Sequence, residues 1–304
     1  MMGPSMEDYL RDRLTLEAQT PDSLRARVSF PPDLQGPPEA GHGGGITAML
    51  FELVRLLEGE RGSAIRVPRP VRVEVALHRE LPLDTVLQAE AERTSGGWHS
   101  RISLEGRPIA EAAVSSLQSP LVSPPPQVRR DWEASREGAL ELPGYAFCLG
   151  CGFSNPRGAQ IRFDYNDSAV WKQLTPQSHF RAADGSLYPG YFCIVCDELG
   201  WWLGALRQGE CGLSNRVAIC LGEPVAADVP LLAVGARSAV VSLDKKGRVW
   251  QAAVAIVTPE WRPVATADVQ FVGSRAFTKI MLSRFLPGND PSALQRAFPK
   301  YAAS

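Results

Sequence analysis

Two segments are apolar on nearly every side over a helical length, residues 46–57 and 190–206, the second carrying Trp201 and Trp202. A helix without a polar face has to be wrapped by other elements. Runs that alternate apolar and polar residues with period two follow each of them, as half-buried antiparallel strands require. Val71-Arg72-Val73-Glu74-Val75-Ala76-Leu77 is one such run, and Asn215-Arg216-Val217-Ala218-Ile219-Cys220-Leu221 is another. Gly106-Arg107-Pro108 opens a third at 109–114, and Trp261-Arg262-Pro263 opens a fourth at 264–269. Period two after an Arg-Pro turn predicts a returning strand.

These runs come in pairs, which marks an internal repeat. The first half reads strand 24–30, helix 46–57, strand 71–77 and a turn with Asp84. The second reads strand 169–174, helix 190–206, strand 215–221 and a turn with Asp228. The pattern predicts an α+β protein in which each half curves an antiparallel sheet around one long helix. Between the halves, the density of proline from Pro120 to Pro126 and the polar residues behind it read as a semi-rigid linker. The expected division is 1–119, a linker at 120–142, a second domain at 143–274, and a helix with a loose tail at 275–304.

Composition narrows the class. A chain of 304 residues suits two domains. Its 44% apolar and 21% charged residues are those of an ordinary globular protein. A net charge of -1 argues against a nucleic-acid or membrane surface as partner. The charged residues 1–17 lack the apolar core of a signal peptide, and a cytoplasmic location is expected. Cys148-x-x-Cys151 and Cys193-x-x-Cys196 could be two halves of a zinc site, with Cys211 and Cys220 in reserve. The gap between the pairs is far wider than in a zinc ribbon, so buried reduced thiols are the simpler expectation, and no metal or cofactor is predicted.

The two copies differ where chemistry is concerned. The first helix opens on His42-Gly43-Gly44 and the second on Tyr188-Pro189-Gly190. The first contains Phe51-Glu52-Leu53 where the second contains Asp197-Glu198-Leu199. One half therefore keeps a glycine-rich helix start whose free N–H groups and dipole can hold an oxyanion. The other keeps an acid among Ile, Val, Leu and Trp, where burial raises a carboxylate's pKa and suits it to act as base or nucleophile. Glu52 and Glu198 occupy equivalent positions and read as a structural pair. The plainer alternatives are a merely flexible helix entry at Gly43 and a wet helix edge at Asp197.

In order and spacing, six segments resemble the hotdog-fold acyl-thioesterases in tandem, or double-hotdog, form. They are Gly36-Pro37-Pro38, His42-Gly43-Gly44, Leu81-Pro82-Leu83-Asp84-Thr85, Cys148-Leu149-Gly150-Cys151-Gly152, Asn155-Pro156-Arg157-Gly158 and Asp197-Glu198-Leu199-Gly200. The resemblance covers most of the chain and is to the phenylacetyl-CoA-thioesterase-like branch. It implies hydrolysis of an acyl-CoA or acyl-carrier-protein thioester without a cofactor, by helices packed side by side, with pairing of double-hotdog units into a homodimer as an option. In that branch the His-Gly-Gly turn of one unit faces a carboxylate on its partner's helix. The resemblance thus implies one composite site, with Gly43 as oxyanion donor, His42 as its support, Asp197 as base or nucleophile, and Ser214 or Asn215 orienting water. Gly44 would border the substrate, and Gln35 stands near a position where relatives carry Asn. Phe51 and Tyr188 would fill the second, lost site.

Arg216, with Arg66, Arg69 and Arg72, could meet the phosphates of coenzyme A, although a solvated strand edge explains most of them better. His78 and His99 read as solvated, and Trp201 and Trp202 as core. Two other functions fit the same residues. A β-hydroxyacyl-thioester dehydratase or enoyl hydratase could use a His42–Asp197 pair, and His179 ahead of Pro189-Gly190 is similar to the pattern of hotdog dehydratases. A non-catalytic acyl-thioester-binding protein would also fit, because each half has lost something.

Overall fold

The computed structural model describes residues 4–59, 67–285 and 288–301. The first half runs α1 (Met6–Arg11), β1 (Leu14–Gln19), β2 (Ser23–Val28), α2 (Gly43–Leu57), β3 (Val71–Leu77), β4 (Leu87–Thr94), β5 (Gly97–Leu104) and β6 (Arg107–Ser116). Then come α3 (Pro126–Ser135), β7 (Leu140–Glu141), β8 (Asp164–Tyr165), β9 (Ala169–Leu174) and α4 (Pro189–Gln208). The remainder is β10 (Gly212–Leu221), β11 (Leu231–Ala236), β12 (Val241–Ser242), β13 (Val249–Val257), β14 (Pro263–Gly273), α5 (Arg275–Phe285) and α6 (Pro291–Ala297). The alternating runs are the strands they predict. In β3, Val71, Val73 and Val75 point into the core while Arg72 and Glu74 face outward.

The strands form one continuous sheet in the order β1-β2-β4-β5-β6-β3-β10-β14-β13-β11-β9-β8-β7, with β12 beside β13. The halves join where β3 and β10 pair antiparallel, from Arg216↔Ala76 to Leu221↔Val71. Each half of the sheet curls around its own helix, α2 against β4, β5 and β6, and α4 against β10, β13 and β14. One apolar core includes side chains from both halves. This is the wrapped-helix architecture, in duplicate, that the apolar helices require.

The two helices pack against each other in antiparallel sense. A Cβ on Gly44 would lie 2.5 Å from the Cys193 carbonyl oxygen and 2.6 Å from Ile194 Cα, so this approach demands glycine. At the other end of the contact, Tyr188 meets Glu52. Each helix start therefore faces the middle of the opposite helix.

Two segments hold more structure than their sequence announced. Helix α3 lies inside the proline-rich stretch 120–142 and packs Val128 against β11, with Trp132 at 6.4 Å from Trp171 and 5.5 Å from Trp261. Val128 and Trp132 are four apart and share a helix face. Rather than forming a loose tail, α6 and the residues after it bury Ala293, Leu294, Ala297 and Phe298, the last packed on Trp202. No helix among the described residues is long and apolar enough to cross a membrane.

Candidate active site

The start of α2 is fixed from several sides. The His42 N–H donates to the Leu34 carbonyl, the Leu149 N–H donates to the Gln35 carbonyl, and Ala40 bridges to Pro82. His42 is the N-cap: its Nδ1 accepts the Gly44 N–H at 3.0 Å and the Gly45 N–H at 3.4 Å. Such capping satisfies donors that a helix start leaves open. The Gly43 N–H has no acceptor among the described residues, and Gly43 is partly exposed to a cavity.

Asp197 comes from the middle of α4 to the same point. Its Oδ2 accepts the Gly44 N–H at 2.7 Å and lies 3.4 Å from His42 Nδ1. A methyl group added to Gly43 would fall 2.8 Å from Oδ2 and 3.0 Å from Oδ1. Among the described residues, neither Oδ1 nor the nearby Ser214 hydroxyl has a partner at full hydrogen-bond geometry, although the hydroxyl lies close enough to Asp197 to favour its charged form. Burial raises the Asp197 pKa above the ordinary carboxylate value, against the opposing pull of His42, Ser214 and the Gly44 N–H.

Beside this pair lies a second cluster. His42 Nε2 is 3.1 Å from Glu198 Oε2, the Trp202 indole N–H donates to Glu198 Oε1 at 3.1 Å, and the Cys148 thiol donates to Glu198 Oε2 at 3.6 Å. Burial alone would favour neutral forms here, but mutual attraction outweighs it. Cys148, Glu198 and Asp197 hold the His42 pKa well above its usual range, and His42 with the two cysteines pulls Glu198 below its own. Desolvation pushes the Cys148 thiol up, yet hydrogen bonding from Cys151 and the charge of His42 bring it down to about 7. Cys151 rises well above the ordinary thiol value, because it donates to Cys148 and is buried.

These groups form the polar end of a cavity of about 270 Å³. Its other walls include Ile46, Leu81, Tyr145, Trp201, Phe277 and Met281. The size and apolar lining suit an organic ligand with a polar reacting group.

The structure brings His42, Gly43, Asp197, Ser214 and Asn215 to this cavity. Gly44 stands just behind, donating to Asp197. Gln35, Phe51, Tyr188 and Arg216 are not brought there. The Gln35 carbonyl accepts from Leu149 in the loop before α2. Arg216 pairs with Glu74 on the sheet surface, and Arg72 meets the same carboxylate. Phe51 and Tyr188 lie at the equivalent place in the other half, where the Tyr188 hydroxyl donates to Glu52 Oε2 at 3.0 Å and the Arg69 guanidinium covers the Phe51 ring. Arg11 and Arg55 each meet Glu52 at 2.5 Å, so that end is filled by an ion-pair network. Arg66 lies outside the described residues.

Several residues prove closer to the chemistry than their sequence context suggested. Glu198 differs from its counterpart Glu52 by bonding the His-Gly-Gly histidine, and Trp201 and Trp202 wall the cavity rather than serving only as core. Cys148 and Cys151 line it too, whereas Cys193 and Cys196 do not. The signal for Cys148 and Cys151 was present in the Cys-x-x-Cys-Gly spacing, but nothing in the sequence tied it to His42. His78 is exposed at the cavity rim and pairs with Glu111 at 3.0 Å. His179 is half-buried, bonds the Arg157 carbonyl at 3.0 Å and does not line the cavity.

Solved structures match this architecture over nearly their whole length. A protein of Alicyclobacillus acidocaldarius with a hotdog fold is 11% identical, with 88% of this chain and 98% of that one covered at a TM-score of 0.53. The chain has the tandem hotdog fold. A protein of Novosphingobium aromaticivorans designated a thioesterase is similar at 17% identity, covering 85% of this chain and 98% of that one with a TM-score of 0.54. The dehydratase domain of PpsC from Mycobacterium tuberculosis, solved in complex with C12:1-CoA, is similar at 14% identity, covering 86% and 97% with a TM-score of 0.52. No family model matches the sequence. No curated protein matches it either.

Proposed function

We propose that the protein hydrolyses an acyl thioester, of coenzyme A or a carrier protein, at one composite site between its two halves. The observation that carries this reading is the meeting, at the polar end of an apolar cavity, of the Gly43 N–H and the Asp197 Oδ1, neither of which has a well-formed hydrogen bond among the described residues. The acyl chain lies along Ile46, Leu81 and Trp201, and the carbonyl oxygen points at the Gly43 N–H. Asp197 removes a proton from water as it attacks the carbonyl carbon, or attacks that carbon itself. The Ser214 hydroxyl orients the water. Negative charge on the carbonyl oxygen is held by the Gly43 N–H and the positive end of α2. Collapse of the tetrahedral species expels the thiolate. His42 positions the turn, because its Nδ1 holds two of the N–H groups that follow Gly43.

A dehydratase reading has one observation in its favour, the 3.4 Å approach of His42 Nδ1 to Asp197 Oδ2. Both ring nitrogens of His42 are already engaged, one by the helix start and the other by Glu198. That leaves none to abstract a proton from substrate, which favours hydrolysis. A panel of acyl-CoAs tests the reading by release of free thiol, which Asp197→Asn should abolish without weakening binding. Hydration of an enoyl-CoA with no thiol released would instead make the protein a hydratase. Retention of acyl-CoA with neither product would make it a binding protein.

A further inference from the structure

We propose that His42, Cys148, Cys151 and Glu198 form a four-ligand site for a borderline-soft divalent transition metal, zinc foremost, that ties the two halves together. His42 Nε2, Cys148 Sγ and Glu198 Oε2 all lie within 4.8 Å of one another. The imidazole–carboxylate separation is 3.1 Å and the thiol–carboxylate separation is 3.6 Å. Tetrahedral zinc, with its usual bond lengths to nitrogen, oxygen and sulfur, sets these edges at roughly 3.4 Å and roughly 3.6 Å. The thiol of Cys151 lies beside Cys148 and Glu198 but outside that three-residue group, and on metal binding its side chain turns in to take the fourth vertex.

The chemistry of the donors selects the metal. Two thiolates, one imidazole and one carboxylate suit zinc, whereas magnesium and calcium take oxygen donors throughout. All four donors are buried, with exposures of 3% for His42, 4% for Cys148, 3% for Cys151 and 6% for Glu198. Supporting contacts surround them, as they do at established metal sites. The Gly150 N–H donates to Cys148 Sγ at 3.3 Å and the Trp202 indole donates to Glu198 Oε1. His42 Nδ1 faces the Asp197 carboxylate, giving a carboxylate–histidine–metal line.

Binding would balance as follows. The two thiols give up their protons to solvent, and both sulfurs bind as thiolates. The ring proton of His42 sits on Nδ1, which turns from accepting the Gly44 N–H to donating toward Asp197. Four protein ligands leave no open position, so the metal acts as a structural pin rather than an activator of water. His42 comes from the first half and the other three ligands from the second, so the pin fixes the His-Gly-Gly turn against α4. This site does not depend on the hydrolase reading, because its test reads the metal and not the reaction.

The test uses full-length protein, reduced, stripped with chelator, and titrated with Co²⁺ and then Zn²⁺. The expected result is one Co²⁺ per chain with a sulfur-to-cobalt charge-transfer band and tetrahedral d–d bands, displaced by one equivalent of Zn²⁺. Cys148→Ser and Cys151→Ser should each weaken binding by more than about 100-fold, while Cys193→Ser should bind as the parent does. Should a ligand variant fail to fold, the parent protein alone decides: its melting temperature should rise with Zn²⁺, because the metal binds only the folded state. A titration without a charge-transfer band, a band unchanged in both serine variants, or a melting temperature indifferent to zinc would overturn the proposal.

Discussion

The substitution Gly43→Ala separates the site from the fold more cleanly than any other single change. The new methyl would lie 2.8 Å and 3.0 Å from the two Asp197 carboxylate oxygens and 3.2 Å from its carboxyl carbon. No backbone atom stands among those three contacts, so the clash falls on the end of one side chain. Alanine is favoured over glycine within a helix by up to about 1 kcal/mol. That gain offsets the few tenths of an ångström by which Asp197 must retreat, and stability should change by less than about 1 kcal/mol. Catalysis should suffer far more. The methyl stands where the carbonyl and the carboxylate would meet, and it moves the base out of line. The backbone N–H survives the change, but a methyl that keeps the carbonyl away from it forfeits that contact, and one oxyanion contact is worth about 2.7–4 kcal/mol, or roughly 100- to 1,000-fold in kcat. The assay pairs thiol release from acyl-CoA with urea unfolding of the same protein. A folded Gly43→Ala protein that keeps the parent's rate would refute the placement of the reaction between Gly43 and Asp197.

Three further substitutions probe the surroundings. Ser214→Ala removes a hydroxyl that makes no well-formed hydrogen bond among the described residues, so unfolding should shift by less than about 1 kcal/mol, while kcat falls roughly 10- to 100-fold with little change in KM, as expected for lost water orientation. Glu52→Ala strips Arg11 and Arg55 of a shared buried carboxylate and should cost about 3–5 kcal/mol by denaturant titration, with the rate per folded molecule unchanged. Gly44→Ala drives a methyl to 2.5 Å from the Cys193 carbonyl on the facing helix, which cannot step aside as a side chain would, and should cost about 1–3 kcal/mol or more in thermal unfolding.

Much of the fold was legible because its strongest signals are periodic. The strand predicted at 71–77 is β3, and the helices predicted at 46–57 and 190–206 lie within α2 and α4. The asymmetry of the two helix starts was legible for a different reason: an internal repeat supplies its own comparison, so Phe51 could be set against Asp197 and Tyr188-Pro189 against His42-Gly43. The same comparison misled at Glu198. Equating it with Glu52 assigned both a structural part, yet Glu52 faces arginines and Glu198 faces His42. The partner decides the role, and the partner comes from the other half. Cys148 and Cys151 stood out by their spacing, but their place beside His42 was hidden because their loop carries little regular structure and so no period. It is held instead by single contacts such as the Asn155 side chain to the Asp33 carbonyl at 2.8 Å. Helix α3 was masked by the prolines around it, although Pro126 sits at its first turn, where a missing N–H costs nothing.

The central claim is that remnants of two copies work as one unit, and a double-mutant cycle on Gly43→Ala and Asp197→Asn measures it directly. If the helix start of one half and the acid of the other serve the same step, kcat/KM of the double variant should lie close to that of Asp197→Asn alone, because a unit already broken loses little more. Losses that simply multiply, as they do for separate sites, would contradict the account.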